Sequence, residues 1–137
     1  MSNISKFNIQ LDNLLVELGK LFSDNMEIKI FREKFALVKT ANPRLVILLF
    51  LKYVYPYKEH IFSKNELFFL SDDLLNEIKK NEDIKKEAKV DDDYIITKAI
   101  DFKKFWYQMT PQQQNTIWKY FQVLIVLSER YVADQTK

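Results

Sequence analysis

His60 is the only histidine in the chain, and imidazole is the one side chain whose unperturbed titration falls near neutrality. A hydrolytic site of the serine, histidine and acid kind would have to use it, with Glu59 or Glu66 as the nearby carboxylate. Its place beside Ser63 in a polar bend fits an ordinary exposed or hydrogen-bonding histidine more simply. One histidine and no cysteine exclude a histidine metal cluster, thiolate ligands, disulfides and a cysteine nucleophile. The carboxylates of Asp72, Asp73, Asp91, Asp92 and Asp93 could approach a hard cation, but a helix-loop-helix calcium loop needs a central glycine and the chain has none there. Acidic side chains at helix N-termini explain both clusters through the helix dipole. Gly19, the single glycine, also leaves no phosphate loop, dinucleotide fingerprint or nucleophile elbow. The expectation is a protein that is not an enzyme and carries no metal or cofactor.

Two residue groups remain that could bind rather than catalyse. Aromatic residues make up 15% of the chain, and Tyr53, Tyr55, Tyr57, Phe62, Phe68 and Phe69 crowd around one bend. Exposed, they would anchor a partner; buried, with tyrosine hydroxyls reaching water, they would be core, and the sequence leaves both readings open. Lys29, Arg32, Lys34, Lys39 and Arg44, within the basic segment 24–44, are the candidates for nucleic-acid contact. Glu27 and Glu33 dilute them and the net charge is only +2, so a solvated helix face is the simpler reading.

The elements that must position these residues are helical almost throughout, with no sustained period-2 alternation. A chain of 137 residues with 47% hydrophobic and 29% charged residues fits one domain with a real core. Phe7, Leu11, Leu14, Leu15, Leu18, Leu21 and Phe22 fall on one face of a first helix, with Gly19 inside it as a site for close packing. Asp24 with Glu27 predicts the next start, and Ile28, Phe31, Phe35 and Val38 its buried face, ending near Thr40. Asn42 and Pro43 open a third helix, apolar all round and therefore expected at the centre. Pro56 stops it.

Ser63 with Glu66 predicts a capping box ahead of the aromatic stretch 67–70, and Ser71 a further cap. Residues 72–93 carry five basic and nine acidic groups against a net positive charge on either side, and 81–93 reads as a loose, solvated connection. Ile95, Ala99, Phe102, Trp106 and Met109 make a regular seam from about Asp92. Thr110, Pro111 and Gln113 combine an N-cap, an N1 proline and a capping-box glutamine. Beyond them Ile117, Tyr120, Phe121, Leu124, Leu127 and Tyr131 cover one side of a last helix, leaving a narrow polar stripe through Lys119, Gln122 and Glu129. Trp106 and Trp118 can then pack across the turn. The fold expected is all-α, a compact single-domain bundle of about five or six helices over residues 1–137.

The apolar run 45–51 is closed by Lys52 and is far shorter than the roughly 20 residues needed to span a bilayer. The stretch after Lys6 is amphipathic rather than continuously apolar, so no signal peptide and no membrane insertion are expected.

The ordered elements Asn42-Pro43, Tyr55-Pro56-Tyr57-Lys58-Glu59, Phe68-Phe69-Leu70, Trp106, Asn115, Ile117-Trp118-Lys119-Tyr120-Phe121 and Leu124 carry a likeness. In these the chain resembles uncharacterised proteins of nucleocytoplasmic large DNA viruses, such as marseilleviruses and mimiviruses, over residues 42–124. The first forty residues add nothing to it. The resemblance implies a viral protein of the virion or virus factory, intracellular in the host in cytoplasm, factory or nucleus, and it transfers no catalytic residue. The expected function is protein–protein interaction with other viral or host proteins, with homodimer formation open; the alternative is a nucleic-acid-associated viral factor acting through 24–44.

Overall fold

The structure, a computed structural model, describes residues 1–89 and 91–136, and only the backbone of Ala88 and Ile95. The expected seam position at Ile95 and the apolar positions Ala88 and Val90 therefore lie outside the described residues or side chains. Nine α-helices and one 3-10 turn make up the described residues, with no strand. The helices are α1 (Asn3–Leu21), α2 (Met26–Ala41), α3 (Pro43–Tyr53), α4 (Lys58–Phe62), α5 (Glu66–Leu70), α6 (Asp72–Lys80), α7 (Glu82–Ala88), α8 (Asp92–Gln108) and α9 (Pro111–Gln135). The 3-10 turn Tyr55–Tyr57 holds Pro56 between α3 and α4. No described helix is long and apolar enough to cross a membrane.

The all-α class is as expected, but the helix number exceeds five or six because the middle of the chain is cut into short pieces. Lys64 ends α4 with φ 53° and Lys89 ends α7 with φ 55°, both in the left-handed region that glycine usually occupies at a helix end. Asn65 Oδ1, accepting the Phe68 amide at 3.1 Å, caps α5. Ser63 does not make the expected capping box; its hydroxyl turns back to the His60 carbonyl. The stretch 81–93, expected to be loose, contains α7. Asn81 Oδ1 caps it through the Ile84 amide at 3.1 Å, and Lys85 ties Glu82 to Asp92 across the junction with α8.

Elsewhere the cap chemistry follows the residue types. Thr110 Oγ1 accepts the Gln113 amide at 3.1 Å, and Gln113 Oε1 accepts the Thr110 amide at 2.9 Å, closing the predicted capping box. Ser71 caps α6 and Asp91 caps α8. Asp72, Asp73, Asp92 and Asp93 all stand in first turns, where the helix dipole favours negative charge. Asn25, not Asp24, caps α2, and the Asn42 side chain makes no cap bond to α3.

The core runs along α9, whose Leu124 and Ile125 are fully enclosed, and α1 lies against it with Phe7 and Leu14. Each such side chain stabilises the fold by about 1.5–3 kcal/mol when fully buried. Ile47 and Phe50 of α3, Ile61 of α4 and Trp106 of α8 complete the cluster, with Phe7 and Phe50 edge to face at 5.1 Å. The expected contact of α9 with several neighbours is present in α1, α3 and α4. The expectation that α3 sits at the centre is corrected. Leu45, Leu48 and Leu49 remain 36–44% exposed, because α1 takes the central groove of the much longer α9 and leaves α3 one buried face. Gly19 is no packing site either, since nothing lies within 4 Å of where a Cβ would stand.

Candidate functional site

An apolar cleft of about 370 Å³ opens where the short helices meet α8 and α9. Proline-induced termination of α3 puts Tyr53, Val54 and Tyr57 at one wall, and α5 and α6 supply Phe69, Leu70, Leu74 and Ile78. Ile84 of α7 and Phe102, Trp106, Trp118 and Phe121 of α8 and α9 complete the lining. The amphipathic spacing of Leu74 and Ile78 on α6, and the four-residue step from Phe102 to Trp106 on α8, turn these side chains to the same space.

Ring contacts run continuously along the cleft. Trp106 and Trp118 meet edge to face at 5.4 Å across the Pro111 turn, as their spacing predicts, and Phe69 packs on Trp118 at 5.6 Å. Phe102 stacks on Trp106 at 6.2 Å but stays half-exposed. It lines the cleft beside Trp106 of the expected α8 seam, and Phe105 of the same helix meets Phe22 of α1 at 4.8 Å.

Of the six expected interaction residues, Tyr53, Tyr57 and Phe69 line the cleft. Tyr55 faces elsewhere, donating to Glu129 at 3.0 Å and accepting from Lys58 at 3.2 Å. Phe68 is half-buried in a ring stack, 3.8 Å from the His60 imidazole centroid and nearly parallel to it. Phe62 points outward, 46% exposed. Missing from the sequence expectation were Phe102, Trp118, Phe121, Leu74, Ile78 and Ile84. Their helical periodicity was visible, but periodicity does not separate a side chain in a filled core from one beside a void.

The polar atoms around the cleft are engaged with one another. Trp106 Nε1 donates to Glu66 Oε1 at 2.6 Å. Tyr53 donates its hydroxyl to Glu87, which also pairs with Lys52 at 3.1 Å. The Glu87 carboxylate raises the Tyr53 phenol above its ordinary value, with burial adding to the effect. Burial does the same to Tyr57, helped by a hydrogen bond to Glu77. Glu87 itself is held below the ordinary carboxylate value, first by Tyr53 and then by Lys52. The arrangement offers an apolar receptacle bordered by the carboxylates Glu66, Glu77 and Glu87.

His60 lies outside that receptacle. Its Nδ1 is 3.0 Å from the Asn65 amide nitrogen, while Glu66 is turned to Trp106. No group of three or more acidic or histidine side chains among the described residues could hold a metal ion.

The basic candidates on α2 and α3 do not share one face. Lys29, Arg32, Lys34 and Arg44 are exposed and Lys39 is half-buried. Arg32 pairs with Asp12 at 3.4 Å, and Lys39 lies over the Phe35 ring at 5.4 Å. At 100° per residue Lys34 points away from Arg32 and Lys39 by about 140–160°.

Compared with protein-family models, curated proteins and solved structures, the chain matches none of them.

Proposed function

We propose that the protein is a non-enzymatic interaction protein whose aromatic cleft receives an apolar anchor from a protein partner. The observation that carries this reading is the 370 Å³ space walled by Phe69, Phe102, Trp106, Trp118 and Phe121. Aromatic pockets of this kind hold the anchor residues that supply most of an interface's binding energy, and the volume lies within the range of ligand-binding pockets. The acidic border through Glu66, Glu77 and Glu87 favours an anchor flanked by basic residues. The virion or virus-factory setting rests on the resemblance carried by residues 42–124.

Photo-crosslinking tests the reading. A benzophenone side chain at position 57, at the cleft, is expected to capture a defined protein in the cells where the chain is expressed. Phe102→Asp, at a half-exposed wall position, should abolish that adduct while leaving the helical circular dichroism intact. Absence of any protein adduct, or one indifferent to Phe102→Asp, overturns the proposal. A small apolar molecule in the cleft would register instead as a change in emission of Trp106 and Trp118, the chain's two tryptophans, without a crosslinked protein.

A further inference from the structure

Helix α7 stands at the cleft without belonging to the core. None of its described side chains is buried, and Ile84 is its contribution to the cleft lining. Seven residues are too few for a helix to be stable by itself. Among the described residues α6 is the helix it packs against, and a single residue joins the two. Asn81 ends α6 in extended backbone and caps α7 with its side chain, while Lys89 closes the far end of α7 in the left-handed conformation. Element-terminal residues such as these are where a short helix turns as a unit.

What holds α7 in place is polar and faces water. Glu87 accepts from the Tyr53 hydroxyl and pairs with Lys52 at 3.1 Å, and Lys85 reaches Asp92 at the start of α8 at 3.0 Å. Lys52, Glu87 and Asp92 are exposed, and ion pairs between exposed groups each contribute little. A segment with few buried contacts and exposed polar ties is among the first to open locally. Tyr53 also lines the cleft, so Glu87 fastens α7 to a side chain of the cleft itself.

We propose that α7 is a lid on the aromatic cleft, latched by Glu87 on Tyr53 and Lys52, and that an apolar group enters when the latch releases and Ile84 withdraws. On the reading of the cleft as the receptacle of a partner's anchor, on which this inference rests, the latch regulates entry of that anchor. A ligand that binds only the open form has an apparent affinity scaled by the open fraction. Weakening the latch therefore speeds and strengthens uptake, and fixing it shut prevents uptake.

N-phenyl-1-naphthylamine, an uncharged apolar dye that brightens on leaving water, tests the lid without any protein partner. In stopped-flow mixing, Glu87→Ala is expected to take up the dye about threefold to tenfold faster than the wild type, the effect of losing one exposed charge cluster. Phe102→Asp should abolish uptake, which places the dye in the cleft. Lys52→Cys combined with Glu87→Cys supplies the converse. The chain has no cysteine of its own, so a short bis-maleimide with a disulfide in its spacer bridges these two positions alone. The bridged protein should exclude the dye, and reduction of the spacer should restore uptake at the rate of Glu87→Ala. Uptake equally fast with the bridge intact and cut, or unchanged in Glu87→Ala, overturns the lid. The crosslink at position 57 fails separately: no protein adduct beside bridge-dependent dye entry removes the protein partner and leaves the lid, and an adduct beside bridge-indifferent entry does the reverse.

Discussion

The indole nitrogen of Trp106 donates to Glu66 Oε1 at 2.6 Å, so a carboxylate on the short helix α5 satisfies the polar atom of a tryptophan enclosed on α8. The bond links the two walls of the cleft: α5 carries Phe69 and Leu70, α8 carries Phe102 and Trp106 itself. A five-residue helix has little stability of its own, and this contact, with Asn65 as its cap, fixes where α5 lies.

Glu66→Leu therefore leaves a buried indole N–H without an acceptor. The expected cost is about 1–3 kcal/mol of global stability, read from denaturant unfolding followed by tryptophan emission. Glu66→Gln keeps a carbonyl acceptor and should lose less than half as much. Equal losses in the two variants would show that the hydrogen bond is not what holds the cleft together.

The single glycine stands where none is needed, and the two described helix ends that would use one, at positions 64 and 89, carry lysine. Gly19 lies within α1 with open space at its missing Cβ, so Gly19→Ala is expected to stabilise the protein by about 1 kcal/mol. Lys89 holds a left-handed conformation at the end of α7, which costs a side-chain-bearing residue about 1–2 kcal/mol. Lys89→Gly should recover about half of that after glycine's own entropy cost. The two sites are on separate elements, so the gains should add within about 0.5 kcal/mol. Thermal and urea unfolding of the single and double variants check both values.

Glu87 joins α7 to the end of α3 through Tyr53 and Lys52, and these partners hold its carboxyl below the ordinary value. A carboxyl depressed in the folded state contributes stability that is present above its unfolded pKa and lost as pH falls through the folded one. Acidification below about pH 4 should therefore release α7 from α3, seen as loss of amide protection in 82–88 before global unfolding. In Glu87→Gln that acid-dependent step should disappear. The Tyr53 phenol, raised mainly by Glu87, should then ionise at lower pH in an ultraviolet titration. Persistence of the acid step in the variant would assign it to another carboxylate.

Residue chemistry made parts of this fold legible and hid others. Thr110, Pro111 and Gln113 act only through their own backbone, so the start of α9 and the meeting of Trp106 with Trp118 follow from local sequence. The centrality of α3 does not, because its apolar circumference says nothing about whether α1 or α3 wins the groove along α9. Residues 81–93 hide their helix for a different reason: Ile84 alone offers α7 a described apolar anchor, and its hold comes from ion pairs to Lys52 and Asp92 that no local pattern encodes. The cleft was half visible. Tyr53, Tyr57 and Phe69 lie near one another in sequence, whereas Phe102, Trp118 and Phe121 reach it only through the tertiary fold.

Asn8 faces the start of α3. It is almost fully buried in α1 and donates its Nδ2 to the Pro43 carbonyl at 3.1 Å, while its Oδ1 has no hydrogen-bond partner. Removing both polar atoms with Asn8→Leu exchanges one bond for relief of an unsatisfied acceptor, so stability should stay within about 1 kcal/mol of the wild type. Asn8→Asp instead places a carboxylate against a carbonyl in an apolar setting, at a cost of about 3 kcal/mol or more near neutrality. Burial raises the folded pKa of such a group, so its stability is highest below the unfolded value of about 4 and falls as pH rises through the folded one. The melting temperature of Asn8→Asp should accordingly climb toward that of Asn8→Leu as pH is lowered from 7 to about 4. A deficit that does not change over this range would mean that the residue at position 8 reaches water.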